Sequence, residues 1–109
     1  MIEAMKLALI VGNIHNIDKT YEDSMTLSEV LYLATLGGAK CVNLEEEVGS
    51  FEIGKKFDAI RVDLTSKDSP IDLFEWNESE QMLERFILQG DSRNIKQVYI
   101  DGCLVKENF

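Results

Sequence analysis

Histidine is almost missing from this sequence: its 109 residues contain one, His15. A catalytic zinc site normally takes three protein ligands plus a water, usually with several histidines. No HxH, HxE or HExxH pattern is present, so His15 reads as a surface or helix-end histidine rather than a ligand. The same scarcity tells against a histidine-based triad. Ser24, Ser28, Ser50, Ser66, Ser69, Ser79, Ser92 and the two cysteines are candidate nucleophiles, but none lies in a GxSxG elbow. Cysteine is scarce too. Cys41 and Cys103 have no CxxC spacing, which points to reduced thiols and away from a disulfide framework. No apolar stretch approaches the ~18 residues of a spanning helix. The N-terminus, with Glu3 early, lacks the basic region, apolar run and cleavage site of a secretory signal. A soluble, cytoplasmic chain is expected, with no membrane contact. Basic residues are outnumbered, 11 Lys and Arg against 20 Asp and Glu, for a net charge of −9. Such a surface repels phosphate backbones, so nucleic acid is not an expected partner.

What is present suits one small globular body: 45% of residues are apolar. Ile2 to Ile17 is predicted as a helix with two apolar stripes. One is Ile2, Met5 and Leu9; the other is Ala4, Leu7, Ala8, Val11 and Ile14. A helix this apolar around its circumference wants neighbours on more than one side. It also starts with no capping side chain before it. It is either a helix belonging to a larger packed body or the terminal helix of a small domain. Asp18 to Ser24 reads as a loop. Thr26 and Glu29 then have capping-box spacing, Met25 and Val30 staple spacing, and Leu27, Val30, Leu31 and Ala34 form an apolar stripe. Gly37 follows as an expected left-handed cap, with a further helical turn open from Ala39 to Val42.

Phe57 to Leu64 is predicted as a strand, Ile60, Val62 and Leu64 facing one way and Ala59, Arg61 and Asp63 the other. Thr65 to Asp72, with the only proline, Pro70, reads as a loop. Glu78 to Gln89 reads as a helix capped by Asn77, with Glu80 at its third position, Met82, Leu83, Phe86 and Ile87 inward, and Gly90 at its end. Asp101-Gly102 between Ile95–Ile100 and Cys103–Lys106 is a strong hairpin signal. Three short strands without further pairing make a marginal sheet with open edges.

Carboxylates are plentiful in Glu45-Glu46-Glu47, Glu78/Glu80 and Asp18/Glu22/Asp23, but acidic residues at this density form a solvated face more often than a catalytic pair. Gly37-Gly38 is too short for a phosphate loop, and neither GxGxxG nor GxxxxGK[ST] occurs. Phe74 and Trp76 read as packing residues. No catalytic, cofactor-binding or metal-binding residue is assigned in this chain.

Leu33-Ala34-Thr35-Leu36-Gly37-Gly38-Ala39 resembles a closing helix of the amidohydrolase superfamily. Val48-Gly49-Ser50-Phe51-Glu52-Ile53-Gly54-Lys55-Lys56-Phe57-Asp58-Ala59-Ile60 follows at familiar spacing and resembles the segment that leads from barrel to small β domain. Val98-Tyr99-Ile100-Asp101-Gly102 resembles that domain's final hairpin. Asp68-Ser69-Pro70-Ile71-Asp72-Leu73-Phe74 and Gly90-Asp91-Ser92-Arg93-Asn94-Ile95 are similar to the guanine deaminase family in particular. The resemblance runs from Met1 to about Val105, with a shorter loop than expected between Phe74 and Met82.

The resemblance implies an α/β chain that is part of a (β/α)₈ amidohydrolase: last barrel helices plus the C-terminal strands of a small composite β domain. Residues 1–50 would be barrel helices, 51–67 the strand into the β domain, 68–94 a loop and helix, and 95–109 the final hairpin. The complete family enzyme holds zinc through histidines and an aspartate and turns guanine and water into xanthine and ammonia. Those residues lie N-terminal to the matched part, and His15 does not fall at a family metal position. None carries over to this chain, which would act as scaffolding for the missing N-terminal barrel portion. The family also implies a possible homodimer. Two other readings stay open: an inactive truncated paralogue acting as an interaction or dimerisation module, and an unrelated α/β binding domain.

Overall fold

The computed structural model describes residues 1–17, 24–74 and 78–108. The chain divides into two compact units, Met1–Ser50 and Phe51–Phe109. The first is helical. Helix α1 spans Ile2–Ile17, as the two stripes predict, and turns Leu9 inward. Gly12 lets it approach the next segment: a Cβ there would lie 3.1 Å from the Met25 backbone nitrogen. Helix α2, Leu27–Tyr32, starts on the expected capping box. The Thr26 N–H donates to Glu29 Oε2 at 2.8 Å, and the Glu29 N–H returns to Thr26 Oγ1 at 3.3 Å. Val30 is buried and Leu27, Leu31 and Ala34 are half-buried, so the predicted stripe is the inward face.

Gly37 does not cap this helix. Its backbone is right-handed, φ −61° and ψ −42°, and the chain widens into a π turn over Leu33–Gly37 before continuing as α3, Gly38–Cys41. The glycine is needed for close approach instead: a Cβ would sit 3.1 Å from the Tyr32 ring and carbonyl. The stop comes at Asn43, φ 60°, where the Leu44 N–H reaches Ala39 O at 2.9 Å and the Asn43 N–H reaches Lys40 O at 3.1 Å. That is a Schellman closure, and asparagine is among the few residues that tolerate its left-handed backbone.

In the second unit an antiparallel meander, β1-β2-β3, is built from Ala59–Val62, Ile95–Ile100 and Cys103–Glu107. Strand β1 is half the predicted length, and its register slips between Arg61 and Val62. Ile60, expected to face inward, is 49% exposed. Asp101 at φ 50° and Gly102 at φ 75° make the left-handed pair that a two-residue turn requires. Asp58 locks this turn: its Oδ1 accepts the Asp101 N–H at 2.8 Å, while Phe57 O accepts the Gly102 N–H at 2.9 Å.

Helix α4, Ser79–Gln89, is capped at Glu78; the predicted cap, Asn77, lies outside the described residues. Gln81, not Glu80, holds the third helical position, and its Oε1 accepts the Glu78 N–H at 3.3 Å. Gly90 ends the helix in extended backbone, φ −71° and ψ 158°. A side chain there would fall 2.5 Å from the Phe86 carbonyl, so the need for glycine is again steric. The core of this unit gathers Leu64, Ile71, Phe86 and Ile87 around a fully buried Asn94.

No residue of β1, β2 or β3 is buried. The whole chain exposes 8121 Å², whereas two separate compact bodies of these sizes would expose about 7,400 Å². Much of the surplus is aliphatic, including Leu7, Val11 and Ile14 on α1 and Ile100, Leu104 and Val105 on the hairpin.

Candidate functional site

Asn94 is the best-organised polar centre. Its Nδ2 donates to the Asp63 carbonyl at 3.1 Å and to Ser69 Oγ at 2.9 Å, and its Oδ1 accepts the Asp91 N–H at 3.2 Å. Its own carbonyl takes the Asp63 N–H at 2.8 Å. One side chain thus ties the end of β1, the proline loop and the turn after α4. The Ser69 hydroxyl also accepts the Ile71 N–H at 3.2 Å, fixing the start of the Ile71–Phe74 segment. Arg85 holds that segment's far end, donating to Asp72 O at 2.8 Å with its guanidinium 5.2 Å from the Phe74 ring centre.

At the turn itself, Arg93 grips Asp91 by two guanidinium nitrogens, the shorter contact 2.6 Å. The Arg93 side chain and then its backbone N–H hold the Asp91 carboxyl below the usual range, and Asp91 raises the guanidinium in return. Asp63 is likewise lowered, by the Thr65 hydroxyl and then the Thr65 N–H. Glu29 is lowered by the Thr26 backbone and then its hydroxyl. All these charged groups sit at the surface and serve turns and caps, so none is set up for proton transfer.

The residues singled out for chemistry are scattered. His15 is exposed in the last turn of α1. Cys41 and Cys103 are exposed free thiols. Glu45, Glu46 and Glu47 form a turn after the Schellman closure. Ser69 is drawn into the Asn94 centre, while Asp18, Glu22, Asp23 and Trp76 lie outside the described residues. Among the described residues no three His, Cys, Asp or Glu side chains converge on a possible metal position. This donor set does not fit a zinc ion.

Two open recesses flank α2. One, of about 380 Å³, is lined by Ser24, Met25, Glu29, Tyr32 and Leu33. The other, of about 170 Å³, is apolar, between Met5 and Ala8 of α1 and Val30 and Leu33. The first brings Ser24 and Glu29 to one recess, but the Glu29 carboxylate is engaged by the Thr26 N–H and hydroxyl of the helix cap; the second is lined almost wholly by apolar side chains. Two buried side-chain oxygens, Glu45 Oε2 and Ser66 Oγ, have no hydrogen-bond partner among the described residues. Sequence reading missed Asn94 as an organiser. The one signal was the Gly90–Ile95 run, noticed as a family likeness and not as a polar core.

Comparison with known proteins finds relatives over nearly the whole chain. Human guanine deaminase is 46% identical over 106 residues, which are 94% of this chain and 23% of that protein. The structure of E. coli guanine deaminase matches 99% of this chain and 24% of its own, with TM-score 0.77 and 27% identity. An adenosine deaminase from Xanthomonas campestris, solved with bound zinc, shares the fold with TM-score 0.67 over 93% of this chain and 21% of its own, at 21% identity. This chain therefore spans about a quarter of the length of the relatives it matches. No helix among the described residues is long and apolar enough to cross a membrane. The amidohydrolase family model matches residues 1–105, helices and sheet alike, and the chain belongs to that family.

Proposed function

We propose that this chain is the C-terminal structural portion of a guanine deaminase, a cytoplasmic enzyme of purine catabolism that turns guanine and water into xanthine and ammonia. In that reading α1, α2 and α3 belong to the outer layer of a (β/α)₈ barrel, residues 51–67 lead into the small β domain, 68–94 form its loop and helix, and 95–109 its last hairpin. Zinc supplies the activated water of that reaction and is held by residues outside this chain. No step of the chemistry is assigned to a residue here.

One observation carries the reading. Among the described residues the large side chains of the second stripe of α1 find little cover: Leu7 is 61% exposed, Val11 41% and Ile14 54%. Leu7, Val11 and Ile14 recur at the spacing of one helix face, and Ile10 widens it. Leaving such side chains in water forfeits about 1.5–3 kcal/mol for each that could be buried. A barrel strand against this face recovers that energy. The missing N-terminal barrel portion is thus the expected partner, and a homodimer of the completed enzyme is compatible with it.

The test is complementation. The chain is co-expressed with the N-terminal three quarters of a guanine deaminase that lacks its own C-terminal quarter. Zinc-dependent release of xanthine is expected from the pair and from neither piece alone. Turnover of guanine by this chain alone with zinc, or no activity and no complex from the pair, overturns the reading.

A further inference from the structure

The turn that closes the hairpin holds the chain's single Asp-Gly pair, Asp101-Gly102. Aspartate before glycine is the most labile aspartyl peptide. With no Cβ on the following residue, nothing crowds the backbone nitrogen as it nears the carboxyl carbon. Both residues are exposed here, and a Cβ built on Gly102 would meet no atom within 4 Å. Space therefore does not protect the pair.

What restrains it is hydrogen bonding. The Gly102 N–H donates to Phe57 O at 2.9 Å, and the Asp101 N–H donates to Asp58 Oδ1 at 2.8 Å. Cyclisation needs the Asp101–Gly102 peptide to rotate towards the Asp101 side chain, away from φ 50° and 75° of the closed turn. That rotation breaks the bond to Phe57, and the bond to Asp58 opposes it. Little else holds the turn. No strand residue is buried and every position of β3 is exposed. Elements with so few buried contacts open locally at low cost.

We propose that Asp101 is a site of isoaspartate formation in this chain, and that Asp58 sets the rate by holding the turn shut. The Gly102 nitrogen attacks Asp101 Cγ. A C–N bond forms, the carboxyl C–O bond breaks, and the amide proton leaves with the hydroxyl as water. The succinimide then takes up a solvent water. Opening at the Asp101 main-chain carbonyl leaves the backbone running through Cβ and Cγ; opening at Cγ restores aspartate. Mass is unchanged at the end. The lengthened backbone no longer fits a two-residue turn, so the Ile100–Cys103 pairing next to it is lost.

The test ages the full chain in neutral buffer. Isoaspartate is read by methyl transfer from S-adenosylmethionine with an isoaspartyl methyltransferase. Electron-transfer fragmentation then locates it in tryptic peptide 97–106, whose only aspartate is Asp101. Asp91-Ser92 is the internal control, since Arg93 grips the Asp91 carboxyl at 2.6 Å in the same unit. Isoaspartate is expected at Asp101 well ahead of Asp91. Asp58→Ala removes a charge-assisted bond and speeds the Asp101 reaction at least about tenfold; Asp58→Asn keeps an oxygen acceptor and speeds it less. In urea strong enough to unfold the chain, native and variant chains react at one rate. A proportional rise at Asp91 in the variants marks general unfolding and overturns the role of Asp58. Variants that age at the native rate overturn it as well. A folded chain that forms no isoaspartate at Asp101, under ageing that produces it in a chemically unfolded one, overturns the site.

Discussion

Replacing Asn94 tests how the second unit is held together. The side chain is fully buried and makes three hydrogen bonds, to Asp63 O, Ser69 Oγ and the Asp91 N–H. In Asn94→Ala these groups lose their partner, and each buried polar group left unpaired costs about 1–3 kcal/mol. Asp91 lies near the surface, where water can reach its N–H, so Asp63 O and Ser69 dominate and the loss is about 3 kcal/mol. Against a typical stability of about 5–15 kcal/mol, that is a large share for a unit this small. With a urea slope of about 1 kcal/mol/M, the midpoint falls by roughly 3 M. Asn94→Asp keeps the shape but replaces a donor with a carboxylate facing a carbonyl oxygen. Burial and repulsion raise its folded pKa above the unfolded value. Stability is then retained where the acid is protonated and lost as pH rises through the raised value. The aspartate variant is thus worse than the alanine variant at pH 7 and gains on it as pH falls towards 4. Urea titrations followed by circular dichroism at several pH values measure both. A fall of less than about 1 M for Asn94→Ala, or an aspartate variant that tracks alanine at every pH, refutes the clamp.

Thr26→Ala removes the capping hydroxyl of α2 and lowers helix-unit stability by about 1 kcal/mol, read as a drop in thermal midpoint. Gly102→Val forces a β-branched residue to φ 75° and costs about 1–2 kcal/mol, with loss of hydrogen-exchange protection at the Gly102 amide that Phe57 O now holds. Glu29, Asp63 and Asp91 all have carboxyl pKa values below their unfolded ones. Their contribution is present above the ordinary carboxylate range and lost as pH falls through the lowered values, so melting temperature should hold near neutrality and decline below about pH 4. Equimolar zinc should leave the thermal midpoint of the isolated chain unchanged; a rise of several degrees would reveal a ligand set the described residues do not provide. The isolated chain should also melt broadly, and a sharp monomeric transition well above about 65 °C would count against an incomplete body.

Local rules were legible wherever a few neighbouring residues decide the outcome. The capping box at Thr26, the limits of α1 and the Asp101-Gly102 turn all follow from residues within four positions. Gly37 misled because glycine has two uses. Its pairing with Gly38 after a periodic run suggests a cap, yet the requirement was space beneath the Tyr32 ring, a contact that depends on the π turn. The stop at Asn43 needed one more piece of information, that the helix continues past Gly38. Asn94 was illegible for a different reason. Its partners at Asp63 and Ser69 lie 31 and 25 residues away, and nothing local marks an asparagine as fully buried.

The single histidine argues against a metal-dependent centre from a simple count, but the apolar surfaces posed a subtler question. The alternation Ile60, Val62, Leu64 says that one side of a strand is apolar; only Leu64 is buried by this chain. The same holds for α1, where Leu9 is covered and Leu7, Val11 and Ile14 are not. Periodicity reports that a side chain was selected for burial somewhere. It carries no address for the partner. In a self-contained domain the predicted inward face and the buried face coincide, because every partner lies in the same chain. Here they separate on a helix and on a strand that share no neighbours in sequence. Poor packing of a single element would produce one such mismatch. Two mismatches, one on each unit and each on the face that pattern predicts to be covered, are what the proposed origin in a longer enzyme leads one to expect.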